Sequence, residues 1–221
     1  MAQKYKINII GAGLGGLTAA ALLKMDGHDV TVFEQAPELG EVGAGIQVSA
    51  NAVKVLWEIG LTDVLERQGV KPSSYKFRLY NSGELLQEFP LARTHEEKCG
   101  APYYQMHRAD LHRALTDKVL QIDPKMVELN KTASQISQGD AGTSITFTDG
   151  SVSEADLVIG ADGIKSIVIK EALEMFASNQ LVTTADVQKY LALKLPTKKN
   201  NDTYRNKQAK RVLENSSLYA G

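Results

Sequence analysis

A single cysteine, Cys99, excludes an intrachain disulfide and any zinc site built from several cysteines, and it suits a reducing compartment. Long apolar runs are missing as well. Nothing approaches the ~18 uninterrupted apolar residues of a membrane span, and Met1-Ala2-Gln3-Lys4-Tyr5-Lys6 leads straight into a strand-like segment instead of a signal core. A cytoplasmic protein with no membrane partner is expected. Neither sign of charge dominates: 25 Lys and Arg against 26 Asp and Glu leave a formal net charge of -1, which gives no global attraction for nucleic acid or an anionic membrane. Histidine is scarce. His28, His95, His107 and His112 include no pair at the i, i+4 spacing of a zinc helix, and none adjoins a serine or cysteine nucleophile pattern. Neither a metal nor a catalytic triad is expected, and His107 and His112 are expected to face solvent or flank a helix.

What remains is the composition of an ordinary globular protein, 43% hydrophobic and 23% charged over 221 residues, enough for one large domain or one domain with an appendage. Residues 7–10 form a short apolar strand, followed at once by Gly11-Ala12-Gly13-Leu14-Gly15-Gly16. An alanine- and leucine-lined helix over 17–24 comes next, then a turn at Gly27 and a second strand over 29–33. Glu34 ends that strand, 23 residues beyond Gly11. Strand, glycine turn, helix, strand and terminal acid make the spacing of a dinucleotide-binding βαβ unit.

Each residue type has a physical task there. Gly11 permits a tight turn, Gly13 lets the backbone approach a pyrophosphate, and Gly16 or Gly15 allows the helix to pack close to the strand. The helix N-terminus offers free N–H groups and partial positive charge to phosphates. Glu34 is placed to accept both hydroxyls of an adenosine ribose, although a solvated charge at a strand end would look the same. The neighbouring Gln35 is neutral, where an arginine would have suggested a 2′-phosphate. At this point FAD and NAD are both open.

Further along, apolar spacing predicts helices over 49–59, with Ser49 or Asn51 as N-cap, and over 61–68. Residues 75–89 alternate around Asn81-Ser82-Gly83 and read as a hairpin. Leu111, Leu115, Val119 and Ile122 share one face of a helix over 108–122. Strands are predicted at 126–129, 144–147 and 157–159. Gly139-Asp140-Ala141-Gly142 reads as a hairpin turn.

Four ordered segments narrow the choice: the glycine cluster, Glu41-Val42-Gly43-Ala44-Gly45-Ile46-Gln47-Val48 with Ser49-Ala50-Asn51-Ala52, then His107-Arg108-Ala109-Asp110-Leu111, then Gly160-Ala161-Asp162-Gly163. Together they resemble the class A flavoprotein monooxygenases that hydroxylate aromatic rings, over residues 5 to about 166. The resemblance implies a Rossmann-like FAD/NAD(P)-binding domain of α/β class, with residues 75–100 as a partial substrate-domain insertion. It implies FAD as cofactor, NADH or NADPH as co-substrate, and a small aromatic substrate. It places Gly11, Gly13, Gly15, Gly16 and Glu34 at the ADP half of FAD with Gln35 beside the adenosine. Gln47 takes a flavin-side position, Arg108 lies near the phosphates and ribityl chain, and Leu129 lies beside the adenine, where a plain core role would fit equally. Asp162 and Gly163 match a second fingerprint associated with both FAD and the nicotinamide cofactor.

After residue 163 the composition changes. Of 18 glycines only Gly221 lies beyond it, and residues 171–221 carry eight Lys or Arg against five Asp or Glu. Helices are predicted over 166–178, 184–193 and 202–214, so that 167–221 reads as a helical appendage that does not follow the family. The family's later Gly-Asp motif, which closes over the flavin, has no counterpart there. Full hydroxylation by this chain is therefore not expected, and the rival reading is a catalytically silent binding protein. The appendage is read as an unrelated joined segment, as a compact helical replacement, or as a helix-turn-helix-like module with Lys207, Lys210 and Arg211 on its last helix. A basic helix face is usually just solvated, so nucleic acid is not the expected partner.

Overall fold

The computed structural model describes residues 3–40, 44–139 and 142–168. The chain divides into two units, Met1–Glu174 and Met175–Gly221, and every described residue belongs to the first. The helices predicted beyond Val168, and the reading of the appendage as a nucleic-acid module, lie outside the described residues. So do Glu41-Val42-Gly43 and Asp140-Ala141.

The chain opens with β1 (Lys6–Ile10), α1 (Leu14–Met25) and β2 (Asp29–Phe33). A short strand, β3 (Gly45–Val48), leads into α2 (Ala50–Glu58) and α3 (Thr62–Gln68). The hairpin β4 (Ser74–Arg78) and β5 (Leu85–Pro90) is followed by α4 (Arg93–Cys99), β6 (Tyr104–His107) and α5 (Arg108–Ile122). Then come β7 (Val127–Glu128), β8 (Ala133–Gly139), β9 (Gly142–Phe147), β10 (Val152–Ala155) and β11 (Leu157–Gly160), and a 3-10 turn over Gly163–Lys165.

Four strands form one parallel sheet in the order β11-β1-β2-β7. Its central strand explains the apolar run after Lys6. Successive side chains point to opposite faces, and both faces are covered, as parallel sheets require. Ile7 and Ile9, with Val30 and Val32 of β2, enter the core shared with Leu17, Ala20 and Ala21 of α1 and Leu111, Leu115 and Val119 of α5. Ile10 and Phe33 instead join Ile145 and Phe147 beneath the antiparallel sheet β10-β9-β8. The Phe33 and Phe147 rings meet at 4.7 Å. Asn8 is fully buried on that second face, where its Nδ2 donates to Ser153 Oγ at 3.0 Å. The α/β Rossmann-like expectation is met.

Two smaller antiparallel pairs complete the described part, β3-β6 and β4-β5. The predicted hairpin is present, and every residue of β5 is exposed. Helix α5 has the predicted bounds, whereas α1 starts at Leu14, three residues before its predicted start, because Gly15 and Gly16 are drawn into the helix despite their low propensity. Ser49 occupies the N-cap of α2, but its hydroxyl donates to Asn51 Oδ1 and makes no cap bond. Gly139 pairs with Gly142 at the end of β8 and β9, as a hairpin turn requires.

Candidate cofactor site

The glycine cluster sits at the C-terminal end of β1, where the turn Gly11-Ala12-Gly13 delivers the chain into α1. Gly11 has φ +103°, a left-handed conformation, and a Cβ there would overlap the Ala161 carbonyl oxygen. A Cβ on Gly16 would overlap the Gly11 carbonyl oxygen and press on Ala161 Cβ at 3.3 Å. Gly16, not Gly15, is therefore the residue that lets helix and strand approach. Around Gly13 and Gly15 the situation is reversed: a Cβ at either would meet nothing within 4 Å. Packing of the described residues explains the first and last glycines and gives no reason for the middle two. Open space thus lies beside the first turn of α1, whose first N–H groups have no acceptor within the helix.

Glu34 closes the turn from the other strand. Its Oε2 accepts from Ala12 N–H at 2.7 Å and its Oε1 from Ala36 N–H at 3.0 Å. The strand beside it is equally fixed, since Glu34 N–H donates to Glu128 O at 2.9 Å and Lys131 N–H donates to Glu34 O at 2.9 Å. Leu129 follows β7 at this point, half-buried beside the Glu34 segment, and Gln35 is exposed. Ala12, Gly13, Glu34, Ala36, Glu38, Leu39, Gly40 and His112 enclose a cavity of about 160 Å³. That is roughly half of the ~300 Å³ at the small end of ligand pockets, so it suits one portion of a long ligand lying along the turn. Two carboxylates and no Lys or Arg line it among the described residues, which makes it a poor host for a further anionic group.

His112 corrects the sequence reading. It neither faces solvent nor merely flanks the helix: it is 4% exposed, and its Nε2 lies 2.8 Å from Ala12 O. The carbonyl can only accept, so Nε2 carries the hydrogen. The partner is 100 residues away in sequence, and a lone histidine on an amphipathic helix gives no local sign of it. The only signal available was its position one helical turn after Arg108, on the same face.

Arg108 opens α5, half-buried, with its N–H donating to Ala44 O at 2.8 Å. Gln47 lies exposed on β3, opposite Gln105 of β6, on the strand pair leading into α5 and not on the parallel sheet. Asp162 comes to the glycine turn through the Gly11–Ala161 approach. Its carboxylate is engaged by its own chain, accepting from Ser166 Oγ at 2.6 Å and Ile167 N–H at 2.8 Å. Gly163 beside it has φ +79°. The structure thus gathers Gly11, Gly13, Gly15, Gly16, Glu34, Leu129, Asp162 and Gly163 at one end of the parallel sheet, with α5 carrying His112 and Arg108 alongside. Two larger concavities among the described residues lie elsewhere, about 660 Å³ among the polar residues of β8–β10 and about 390 Å³ between α3 and α5. No group of acidic, histidine or cysteine side chains able to hold a metal occurs among the described residues, and no helix there is long and apolar enough to cross a membrane.

Known proteins resemble this chain in sequence and fold. A family model described as an FAD binding domain matches residues 4–215. The chain is 45% identical over 166 residues to 3-amino-4-hydroxybenzoate 2-monooxygenase of Streptomyces cremeus, covering 75% of this chain and 41% of that protein. It is 36% identical over 173 residues to 6-hydroxynicotinate 3-monooxygenase of Pseudomonas fluorescens, covering 78% and 44%. Among solved structures, Klebsiella pneumoniae HpxO complexed with FAD and uric acid superposes with a TM-score of 0.62 at 34% identity, over 73% of this chain and 40% of that one. The 2,6-dihydroxypyridine-3-hydroxylase from Arthrobacter nicotinovorans gives 0.64 at 29% identity, over 78% and 40%. The chain spans 41–44% of the length of these two curated relatives. It belongs to the FAD binding domain family, in the group of the class A aromatic-ring monooxygenases.

Proposed function

We propose that the glycine turn holds the ADP half of FAD, as the cofactor-binding part of a monooxygenase that hydroxylates a small aromatic substrate. One observation carries the reading: Gly13 and Gly15 are glycines whose missing side chains leave open space beside a helix N-terminus, while Gly11 and Gly16 are consumed by packing. A pyrophosphate lying there meets backbone N–H groups and the positive end of the α1 dipole. Each Glu34 oxygen accepts one backbone N–H and keeps a second acceptor position for a ribose hydroxyl. Gln35 and Leu129 flank the adenosine end. Arg108 and Gln47 serve the flavin side, and Asp162 and Gly163 support the turn through Ala161. When bound, FAD supplies oxygen activation at the expense of NADH or NADPH, and the protein orients the ring substrate and excludes water.

Cofactor binding is the property proposed for this chain itself, and ring hydroxylation is proposed for the whole protein. Purified chain titrated with FAD is expected to take up flavin with absorption near ~450 nm, and to lose it on Glu34→Ala. A chain that is colourless once free FAD has been removed after incubation at saturation, and that leaves flavin fluorescence unchanged during the titration, defeats the proposal. NADH and NADPH oxidation, compared with and without a hydroxylated aromatic acid, tests the reaction and its reductant.

A further inference from the structure

We propose that His112 is a positioning residue for the FAD site, acting through the Ala12 peptide; this rests on the reading of the turn as an FAD cradle. Ala12 is held at both of its polar groups by side chains from different elements. Its N–H donates to Glu34 Oε2 at 2.7 Å, from the end of β2, and its C=O accepts from His112 Nε2 at 2.8 Å, from α5. The Ala12–Gly13 peptide is planar and trans, so aiming the carbonyl at His112 turns the Gly13 N–H in the opposite direction. One imidazole bond thereby sets the direction of the N–H group nearest the site for phosphate. The bond is shielded from water by the burial of His112, and α5 is itself fixed by Leu111 and Leu115 in the core. The donor is thus rigid before any ligand arrives, which lowers the ordering cost of binding.

The geometry also separates His112 from its neighbour one turn earlier. Arg108 brings a permanent cation and suits direct contact with the ligand. His112 stands in the wall of the cavity with its Nε2 committed to the Ala12 carbonyl, and the role proposed for it runs through the turn.

The test compares His112→Leu, which removes the donor, with His112→Gln, whose amide nitrogen reaches the position of Nε2. FAD affinity of the full chain is measured by flavin fluorescence, and exchange of the Ala12 amide hydrogen by NMR on the cofactor-free chain. His112→Leu is expected to weaken FAD binding about tenfold, the loss of one hydrogen bond, and to speed Ala12 amide exchange, because a turn released at Ala12 O opens the Ala12 N–H bond to Glu34 more often. His112→Gln is expected to restore both. Unchanged affinity and unchanged exchange in His112→Leu overturn the proposal, as does equal loss in both variants. If His112→Leu does not fold, His112→Asn, which is polar but too short to reach Ala12 O, takes its place. If the unaltered chain binds no FAD, the cradle reading fails, and the exchange comparison alone then decides whether His112 orients the turn.

Discussion

Replacing Gly16 with alanine forces a Cβ onto the Gly11 carbonyl oxygen, a backbone atom with no rotamer to yield, and a loss of at least ~2 kcal/mol of stability is expected. Thermal unfolding measures it. Gly15→Ala should behave in the opposite way. The position is helical and open, so the cofactor-free chain is expected to gain up to ~1 kcal/mol from helix propensity, while FAD affinity falls about tenfold or more as the methyl enters the ligand's space. A Gly15→Ala chain that binds FAD normally would show that the open side of the turn is not where the cofactor lies. At this scale the sequence was legible wherever a residue type has one use. Glycine spacing and a terminal acid announced the turn, yet could not separate Gly15 from Gly16, because that distinction depends on Ala161. The role of His112 was hidden for the same reason.

Elements read well where a stripe of apolar residues had to face a core. The helix α5 shows such a stripe and was delimited residue by residue. The short helix α4 was missed because its seven residues, Arg93–Cys99, include no apolar stripe, and β8 because Ala133–Gly139 is polar with no buried residue. The junction of α3 with β6 carries a pH prediction. Tyr104 is fully buried and its hydroxyl donates to Glu66 Oε1 at 2.6 Å, while Lys71 Nζ lies 2.9 Å from the same oxygen. The Tyr104 hydroxyl, then the Lys71 ammonium, hold the Glu66 carboxyl below its ordinary range, and burial pushes the Tyr104 phenol up. A depressed carboxyl contributes stability that is present above its unfolded pKa, near ~4.3, and is lost as pH falls through its folded value. Melting temperatures between pH 5 and 3 should therefore fall less steeply in Glu66→Gln than in the unaltered chain. A raised phenol gives the mirror image: its contribution holds below pH ~10 and fades above it. Parallel acid limbs in the two chains would contradict the first expectation.

For the molecule as a whole, stability is expected to be uneven. The parallel sheet is covered on both faces, whereas β4 and β5 pair only with each other, show a fully exposed β5, and carry Phe77 at 48% and Leu86 at 59% exposure. A two-stranded ribbon of this kind is marginal by itself. Native-state hydrogen exchange should find β4–β5 amides opening locally, well below the free energy at which β1, β2 and β11 open. Uniform protection across both would refute this. The pairing of β1 with β11 has a further consequence for how the protein is made. Lys6 and Asp156, which bond across it, are 150 residues apart. A nascent chain therefore carries its glycine turn through nearly the whole of this unit's synthesis with one flank of β1 bare. The strand that supports Gly11 through Ala161 is the last of the described strands to be made, so the turn gains that support only then, and FAD can first act as a folding ligand at that late moment.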